Sequence, residues 1–325
     1  MVAMTRIDFH THVVVDLPDF AARYGDSRWP SFAVDGDVGR LSRDGKVART
    51  LSPAAWSAAR RVEDMEMAGI DVQVISPIPP LVCDWPAPDQ GAAWCAHINE
   101  GVAAMVAAAP GRFVGLGTVP LQHPVLAAAA LEHAHRLGLA GVEIGTDVGG
   151  RELDDPALSE FFATAGRLGM IVFVHPLILG DQAAWTGRIA GAAVNFGLGM
   201  TTETAIAAAR LVFGGVTARY PELRICLSHG GGTFFWAFPR IARMWDARGE
   251  AKASDLARHV YVDSVVYEPE NLQYLCQRVG PDRVVFGTDY PLPAQDSLTG
   301  ATLSGLGPDA TALVGGGTAA QLLGW

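Results

Sequence analysis

The stretch IVFVHP, residues 171 to 176, carries the pattern that decides the fold of this chain. Its four apolar residues form a run that is typical of a strand buried on both faces, and the run stops at His175 and Pro176. Similar runs end at His229 and at Asp289. Such runs predict a parallel sheet whose strands carry functional side chains at their carboxyl ends.

Eight such runs alternate with stretches of helical period. The predicted strands are Ile7 to His10, Val72 to Ile75, Phe113 to Val119, Gly141 to Ile144, Ile171 to His175, Arg224 to Ser228, Val260 to Asp263 and Val284 to Gly287. The predicted helices cover about residues 60–68, 88–109, 123–137, 155–168, 202–219, 233–247, 268–279 and 308–323. This alternation predicts an α/β fold, a (β/α)8 TIM barrel. A doubly wound open sheet is the alternative, but the Gly-rich phosphate loop that often follows its first strand is absent from the sequence.

A long segment, from about residue 14 to about residue 58, separates the first predicted strand from the first helix. It contains Asp35-Gly36 and Asp44-Gly45, two dipeptides that are typical of hairpin turns. We therefore expect Phe32 to Thr50 to form a small antiparallel flap at the mouth of the barrel. Since no repeat or linker divides the sequence, residues 1–325 are predicted to form a single domain with this insertion.

Composition and charge restrict the kind of partner. The net charge is -10, and the sequence has no Lys/Arg-rich run, so neither a nucleic acid nor an anionic membrane surface is expected to bind. No apolar stretch is long enough for a signal peptide or a membrane span, and cytoplasmic residence is expected. The four cysteines lack CxxC spacing and are expected to be reduced thiols. A small-molecule substrate is the remaining expectation.

Polar residues at three strand ends have the chemistry of a metal site. His10 and His12 point to one face of an extended strand, because residues two apart share a face. His175 and Asp289 end two further strands, and closure of a barrel brings strand ends together around one axis. Imidazoles and a carboxylate are suitable ligands for Zn²⁺. The sequence therefore predicts one zinc ion per chain, with manganese as the alternative metal.

Two further features of the sequence support a single metal ion at His10 and His12. His133 and His135 have the same spacing as the first histidine pair, but they lie on a predicted helix, where their side chains diverge. The predicted fourth strand of the barrel, Gly141 to Ile144, contains no lysine that could be carbamylated to bridge two metals. Both observations favour a single ion at the strand-one pair.

The strand-end motifs also resemble a known family. They are Asp8-x-His10-x-His12, His175-Pro176, Ser228-His229-Gly230-Gly231-Gly232 and Gly287-Thr288-Asp289-Tyr290-Pro291. Together they resemble the amidohydrolase-related metal-dependent decarboxylases (amidohydrolase 2), among which the aminocarboxymuconate-semialdehyde decarboxylases are the most similar group. The resemblance implies that His10, His12, His175 and Asp289 bind zinc. It also implies that His229 is an unliganded catalytic histidine that activates water at the metal, although a ligand or supporting role is the alternative.

The same resemblance implies how substrate binds. Arg49 in the flap and Arg240 in the helix after strand six match positions that bind substrate carboxylates, a task suited to a planar guanidinium. The family position of Arg240 reaches across a dimer interface, which implies a homodimer; an ordinary surface position is the alternative for both arginines. Trp185 is a further candidate contact. Glu143 and Leu177 depart from the residues found in relatives, so the particular substrate stays open.

These observations predict a zinc-dependent carboxy-lyase. The expected reaction is cofactor-free, non-oxidative decarboxylation of an unsaturated or aromatic carboxylic acid, of the aminocarboxymuconate-semialdehyde or hydroxybenzoate type. A zinc-hydroxide hydrolase or hydratase, acting on a lactone, ester, amide or unsaturated acid, uses the same ion and is the alternative. A non-catalytic scaffold is the third interpretation, and it requires the four strand-end ligands to coincide by accident.

Overall fold

The computed structural model describes residues 5–177, 189, 191–249 and 251–325 of the chain. Within these ranges the strands are β1 Ile7–Val13, β2 Ser31–Asp35, β3 Val38–Arg43, β4 Lys46–Leu51, β5 Val72–Pro77, β6 Phe113–Gly117, β7 Gly141–Ile144, β8 Ile171–Val174, β9 Arg224–Leu227, β10 Val260–Asp263 and β11 Val284–Val285. Eight of them form one sheet in the order β1-β5-β6-β7-β8-β9-β10-β11. Every neighbouring pair in that order is parallel, as the alternation of strands and helices predicts.

Backbone hydrogen bonds join the two ends of this sheet. The amide of Phe9 donates to the carbonyl of Phe286, and the amide of His12 donates to the carbonyl of Tyr290, each at 2.7 Å. Strand β11 is shorter than predicted because the amide of Phe286 donates to Val314 instead of to a neighbouring strand. The predicted (β/α)8 barrel is confirmed, and the carboxyl ends of all eight strands meet at one mouth.

Helices cover the outside of the barrel. They are α1 Phe20–Tyr24, α2 Ala58–Ala68, α3 Pro88–Ala108, α4 Pro124–Arg136, α5 Ser159–Leu168, α6 Ala192–Val194, α7 Met200–Phe213, α8 Val216–Arg219, α9 Phe234–Asp246, α10 Ala253–Ala257, α11 Pro269–Val279, α12 Pro308–Ala312 and α13 Thr318–Leu323. One predicted helix is wrong as a continuous element: the segment predicted at 202–219 divides at Gly215, whose φ is 83°. The helix predicted at 308–323 is continuous and contains a π-helical turn at Leu313–Gly317. No helix of the described residues is both long and apolar enough to cross a bilayer.

The insertion after β1 contains the predicted flap. Strands β2, β3 and β4 form a separate antiparallel sheet, and β3 joins β4 through Asp44 and Gly45, which both have positive φ. This is the backbone conformation that a two-residue hairpin turn requires. The boundaries, Ser31 to Leu51, are within one residue of the predicted ones.

A bulge in β1 changes which side chains face the barrel interior. The pairing of β1 with β5 shifts register between Asp8 and Thr11. Phe9 lies in the apolar cluster inside the barrel, and its ring centroid is 6.0 Å from that of Phe173. His10, the next residue, also contacts Phe173, at 4.9 Å. Because a bulge lets two consecutive residues face one side, β1 changes from an apolar to a polar interior side chain within one residue.

Candidate functional site

His10 and His12 meet at the mouth end of β1. Both side chains are completely buried, and their Nε2 atoms lie 3.0 Å apart. Asp289, in the loop after β11, brings its Oδ1 to 3.1 Å from Nε2 of His12 and 3.4 Å from Nε2 of His10. The i, i+2 spacing on a strand therefore places the two imidazoles together, as the sequence predicts.

His175 adds a third imidazole from the end of β8. Its ring centroid lies 5.1 Å from that of His10 and 5.0 Å from that of His12. Its Nδ1 donates to the carbonyl of Pro176 at 2.9 Å, so its Nε2 carries a lone pair. That Nε2 is buried and has no hydrogen-bond partner.

The other two histidines direct their Nε2 atoms at one another. Nδ1 of His10 lies 2.6 Å from the carboxylate of Asp263, which holds a proton on Nδ1, so Nε2 is the nitrogen that a cation would meet. Nδ1 of His12 faces the hydroxyl of Ser76, which itself donates to the carbonyl of Thr11. Converging lone pairs beside a buried carboxylate repel each other unless a cation lies among them. The donor set fits a divalent ion of the zinc class.

The pKa values in this cluster follow the same charges. Burial lowers the pKa of His10, but the hydrogen bond and the negative charge of Asp263 outweigh burial and raise that pKa to about 9. Burial, together with the neighbouring histidines, holds the pKa of His175 well below its usual range. Burial opposes ionisation of Asp289, yet its contact with His12 and the surrounding imidazoles hold its pKa below the usual range. The cluster thus combines an ionised carboxylate with a neutral imidazole, both suited to a cation.

His229 lies between this cluster and an open cavity. Its ring centroid is 4.9 Å from that of His175 and 5.5 Å from that of His10. A ligand atom of each of these three histidines and of Asp289 lies within 4.8 Å of the others, so His229 also has the position of a possible ligand. It differs from the others in lining the cavity, and its buried Nε2 has no hydrogen-bond partner.

The backbone at two of these residues is strained. His229 has φ 55° and Asp289 has φ 63°, both in the left-handed region that non-glycine residues rarely adopt. Strain of this kind persists where the surrounding structure enforces it, and it concentrates at functional sites. For His229 the enforcement is visible, because its amide and that of Gly230 both donate to Asp263 at 2.9 Å.

Asp263 is therefore a candidate functional residue that the sequence did not identify as one. It ends β10, is completely buried, and contacts both the ring of His10 and the backbone of His229. Burial raises its pKa, but the hydrogen bond from His10 and the charges of the histidines bring it below the usual range. Its position as an acid at a strand end was the available signal. The sequence alone did not reveal which histidine it would meet.

Glu143, flagged in the sequence as a departure from relatives, points into the same region. The side chain is completely buried on β7, and one carboxyl oxygen lies 3.6 Å from Nδ1 of His12. Burial raises its pKa. It therefore stands behind His12, on the opposite side of the ring from the Nε2 cluster.

The predicted substrate-binding residues are not grouped in the way that the predicted metal ligands are. Arg49 lies half-buried on β4 of the flap, where its guanidinium donates to the carbonyl of Ala48. Arg240 lies on the exposed side of α9. Trp185 is outside the described residues. The structure does not bring either arginine to the walls of the cavity beside His229.

Comparison with known proteins shows the family of this chain. The chain matches the family described as amidohydrolase over residues 7–325. It is 30% identical over 314 residues to 2-amino-3-carboxymuconate-6-semialdehyde decarboxylase of Dictyostelium discoideum, covering 93% of this chain and 86% of that protein. The predicted family is confirmed by these two matches.

Solved structures extend the comparison. The crystal structure of Metarhizium anisopliae IDCase in its apo form superposes with a TM-score of 0.81 at 25% identity and covers 98% of this chain and 97% of that one. The 5-carboxyvanillate decarboxylase of Novosphingobium aromaticivorans, complexed with manganese, gives a TM-score of 0.79 at 20% identity, covering 99% and 97%. At that identity the second match supports the fold alone.

Proposed function

Because the chain belongs to the amidohydrolase family, whose curated relatives are carboxy-lyases, we propose that it is a metal-dependent, non-oxidative decarboxylase of unsaturated or aromatic carboxylic acids. The single observation that carries the proposal is the position of His229. This histidine touches both the cluster of convergent ligands and the cavity that can hold an organic acid.

His10, His12, His175 and Asp289 would hold the ion. Three imidazole nitrogens and one carboxylate favour zinc over manganese, which prefers oxygen ligands. A bound divalent ion supplies Lewis-acid polarisation of substrate oxygens and lowers the pKa of water. One ion per chain is proposed. Glu143 is buried on the Nδ1 side of His12, away from the Nε2 cluster.

Side chains of the protein would perform the remaining steps of the reaction. Decarboxylation breaks the bond to the carboxylate carbon, carbon dioxide leaves, and the electron pair left on the substrate carbon takes up a proton. His229 is the side chain proposed to deliver that proton, since it lines the cavity and its Nε2 has no hydrogen-bond partner. Asp263 positions the imidazole by holding the backbone of His229.

A second copy of the chain would complete the site. Arg240 lies between Trp236 and Met244 at intervals of four residues, so the three share one face of α9. Trp236 is 78% exposed and Met244 is 71% exposed, which makes this face suited to burial against another subunit. We propose a homodimer in which Arg240 binds the substrate carboxylate of the partner's site, with Arg49 and Trp185 contributing from their own chain. Sedimentation velocity of the purified protein would show the dimer.

The experiment that tests the reaction combines metal analysis with carbon dioxide release. The purified protein should contain about one zinc per chain and release carbon dioxide from at least one acid in a panel of aminocarboxymuconate-type and hydroxybenzoate-type compounds. His229→Ala should retain the metal and lose release by about 100-fold or more. His135→Ala, a matched change at an exposed histidine on α4, should alter neither.

Other outcomes are equally informative. Stoichiometric metal without carbon dioxide from any acid would move the function to hydrolysis or hydration by the same ion. Loss of metal in His229→Ala would make this residue a ligand. A protein that binds no divalent ion under zinc-replete conditions would contradict the proposed function.

A further inference from the structure

A second cavity adjoins the one beside His229. It holds about 230 Å³ and is formed by α9, by α10 and by the carboxyl end of α11. Phe235 lines both cavities and is their common wall. Among the described residues, neither His229 nor any proposed metal ligand lines the second cavity. It is therefore distinct from the proposed active site.

Two arginines give this cavity its charge. Arg258, at the end of α10, and Arg278, in the last turn of α11, both line it, and none of the described residues that line it is acidic. Neither guanidinium forms an ion pair or a hydrogen bond with another described residue. The carboxylate of Asp282, which follows the lining residue Gly280 by two positions, lies 4.0 Å from Arg283 instead. An anion that enters the cavity therefore meets two unpaired cations.

Both arginines are held in place without being neutralised. Arg283 donates from Nε to the carbonyl of Arg258 at 2.9 Å, which fixes the backbone that carries this side chain. The guanidinium of Arg278 lies over the ring of Tyr274, 4.9 Å from its centroid. Stacking of this kind leaves the N–H groups at the edge of the guanidinium free to meet an anion. Cations that are already positioned reduce the entropy that binding costs.

The remaining walls restrict the size and the shape of an occupant. Phe235, Ala257 and Val279 are buried, Phe238 is half-buried, and Ser254 adds a hydroxyl. This combination fits a small molecule with an anionic group at one end and an apolar group at the other. A phosphoryl group suits the arginines and the hydroxyl, because it presents three acceptor oxygens and about two negative charges near neutral pH.

We propose that this cavity between Arg258 and Arg278, the arginine cavity, is a binding site for a small phosphate monoester with an apolar body. The phosphoryl oxygens accept from the two guanidinium groups, and the apolar body packs against Phe235 and Phe238. Because both arginines are exposed, water and salt weaken each contact, and the affinity is moderate. The site requires no step of the proposed reaction.

Isothermal titration calorimetry on the metal-loaded, full-length protein tests this site with phenyl phosphate. We expect saturable binding with a Kd below about 1 mM. Inorganic phosphate, which has the charge and no ring, should bind at least about fivefold more weakly. Phenol, which has the ring and no phosphoryl group, should bind at least about tenfold more weakly.

Arginine variants assign the binding to the arginine cavity. Arg258→Gln and Arg278→Gln each keep a long polar side chain and remove one charge, so each should weaken phenyl phosphate binding about fivefold or more. Arg219→Gln is the matched control, because Arg219 is also exposed, lies 6.0 Å from the ring centroid of Tyr220 and does not line the cavity. The control should bind phenyl phosphate as the wild type does. All three variants should keep the metal content of the wild type, so a change in affinity does not come from the ion.

Two results would overturn the proposal. A Kd above about 1 mM for phenyl phosphate would show that the two arginines do not form a binding site. Wild-type affinity in both Arg258→Gln and Arg278→Gln would place the ligand elsewhere, at the metal for example. Equal affinity for phenyl phosphate and inorganic phosphate would contradict the monoester and identify free phosphate as the ligand. None of these measurements uses carbon dioxide release, so failure of the proposed decarboxylation would leave the arginine cavity unaffected.

Discussion

The ring nitrogen that each histidine turns toward the cluster depends on the partner of its other nitrogen. Asp263 holds Nδ1 of His10, and the carbonyl of Pro176 holds Nδ1 of His175. The two partners differ in charge, and an anionic partner raises the basicity of the free nitrogen more than a carbonyl does. His10 is therefore expected to be the strongest nitrogen ligand of the site.

Asp263→Asn tests this dependence. The amide keeps the size of the carboxylate but removes its charge, and it cannot accept from His10, His229 and Gly230 together. We expect metal affinity to fall about 10- to 100-fold in a competition titration with a chelator. Asp255→Asn, an exposed acid on α10, should bind metal as the wild type does. Wild-type affinity in Asp263→Asn would show that the charge of Asp263 does not support the site.

The four proposed ligands could be predicted from sequence because each interrupts an apolar run at a strand end, where a polar side chain has few structural uses. Asp263 ends a strand in the same way, but its partners depend on the barrel register and on the turn at His229. The bulge in β1 leaves no mark in the sequence, since Asp8 to Thr11 reads as an ordinary extended segment. The sequence therefore indicated which residue types belong to the site, but it did not show which residues they contact.

At the scale of elements, α2 connects the insertion to the two ends of the barrel sheet. Arg61 on this helix is completely buried and donates to the carbonyl of His12 at 2.8 Å and to that of Ala54 at 3.0 Å. Its guanidinium also lies over the ring of Tyr290, next to Asp289 in the chain, at 4.7 Å. Arg61 therefore contacts both segments that carry these proposed ligands and holds them together.

Arg61→Met should show how much these contacts contribute to the stability of the fold. The variant leaves the carbonyls of His12 and Ala54 and the amide oxygen of Gln73 buried without their donor. We expect the free energy of unfolding to fall by about 3 kcal/mol or more in urea denaturation. Arg60→Met is the matched control, because Arg60 is 49% exposed and its ion pair with Asp64 contributes within about 1 kcal/mol. Similar losses of unfolding free energy in the two variants would show that the buried contacts of Arg61 do not stabilise the fold more than an exposed arginine does.

Close approach between β11 and β1 gives a second prediction at this scale. A Cβ at Gly287 would lie 2.7 Å from Cβ of His10 and 3.2 Å from Cβ of Asp263, so neither neighbour can keep its position. Gly287→Ala should cost about 1–3 kcal/mol of stability and weaken metal binding in the same chelator titration. Gly307→Ala, whose added Cβ meets nothing within 4 Å, should change neither quantity. Undisturbed metal binding in Gly287→Ala would show that β1 can shift without moving its ligands.

At the scale of the whole molecule, the candidate metal site links distant parts of the chain. Its proposed ligands come from residues 10, 12, 175 and 289, which lie on β1, after β8 and after β11. The periodicity of the sequence predicted this arrangement because barrel closure leaves one position for each strand end. It did not predict the division of the helix at residues 202–219, where Gly215 permits a local break that tertiary packing decides.

Metal removal should therefore destabilise the whole barrel and not only its mouth. An ion that binds the folded chain and not the unfolded one adds about 4 kcal/mol when its free concentration is about 1,000 times Kd. We expect a chelator to lower Tm by several degrees, and added zinc to restore it, in differential scanning calorimetry. His175→Ala should abolish most of this zinc-dependent shift, whereas His135→Ala should keep it. A shift of full size in His175→Ala would place the stabilising ion elsewhere in the protein.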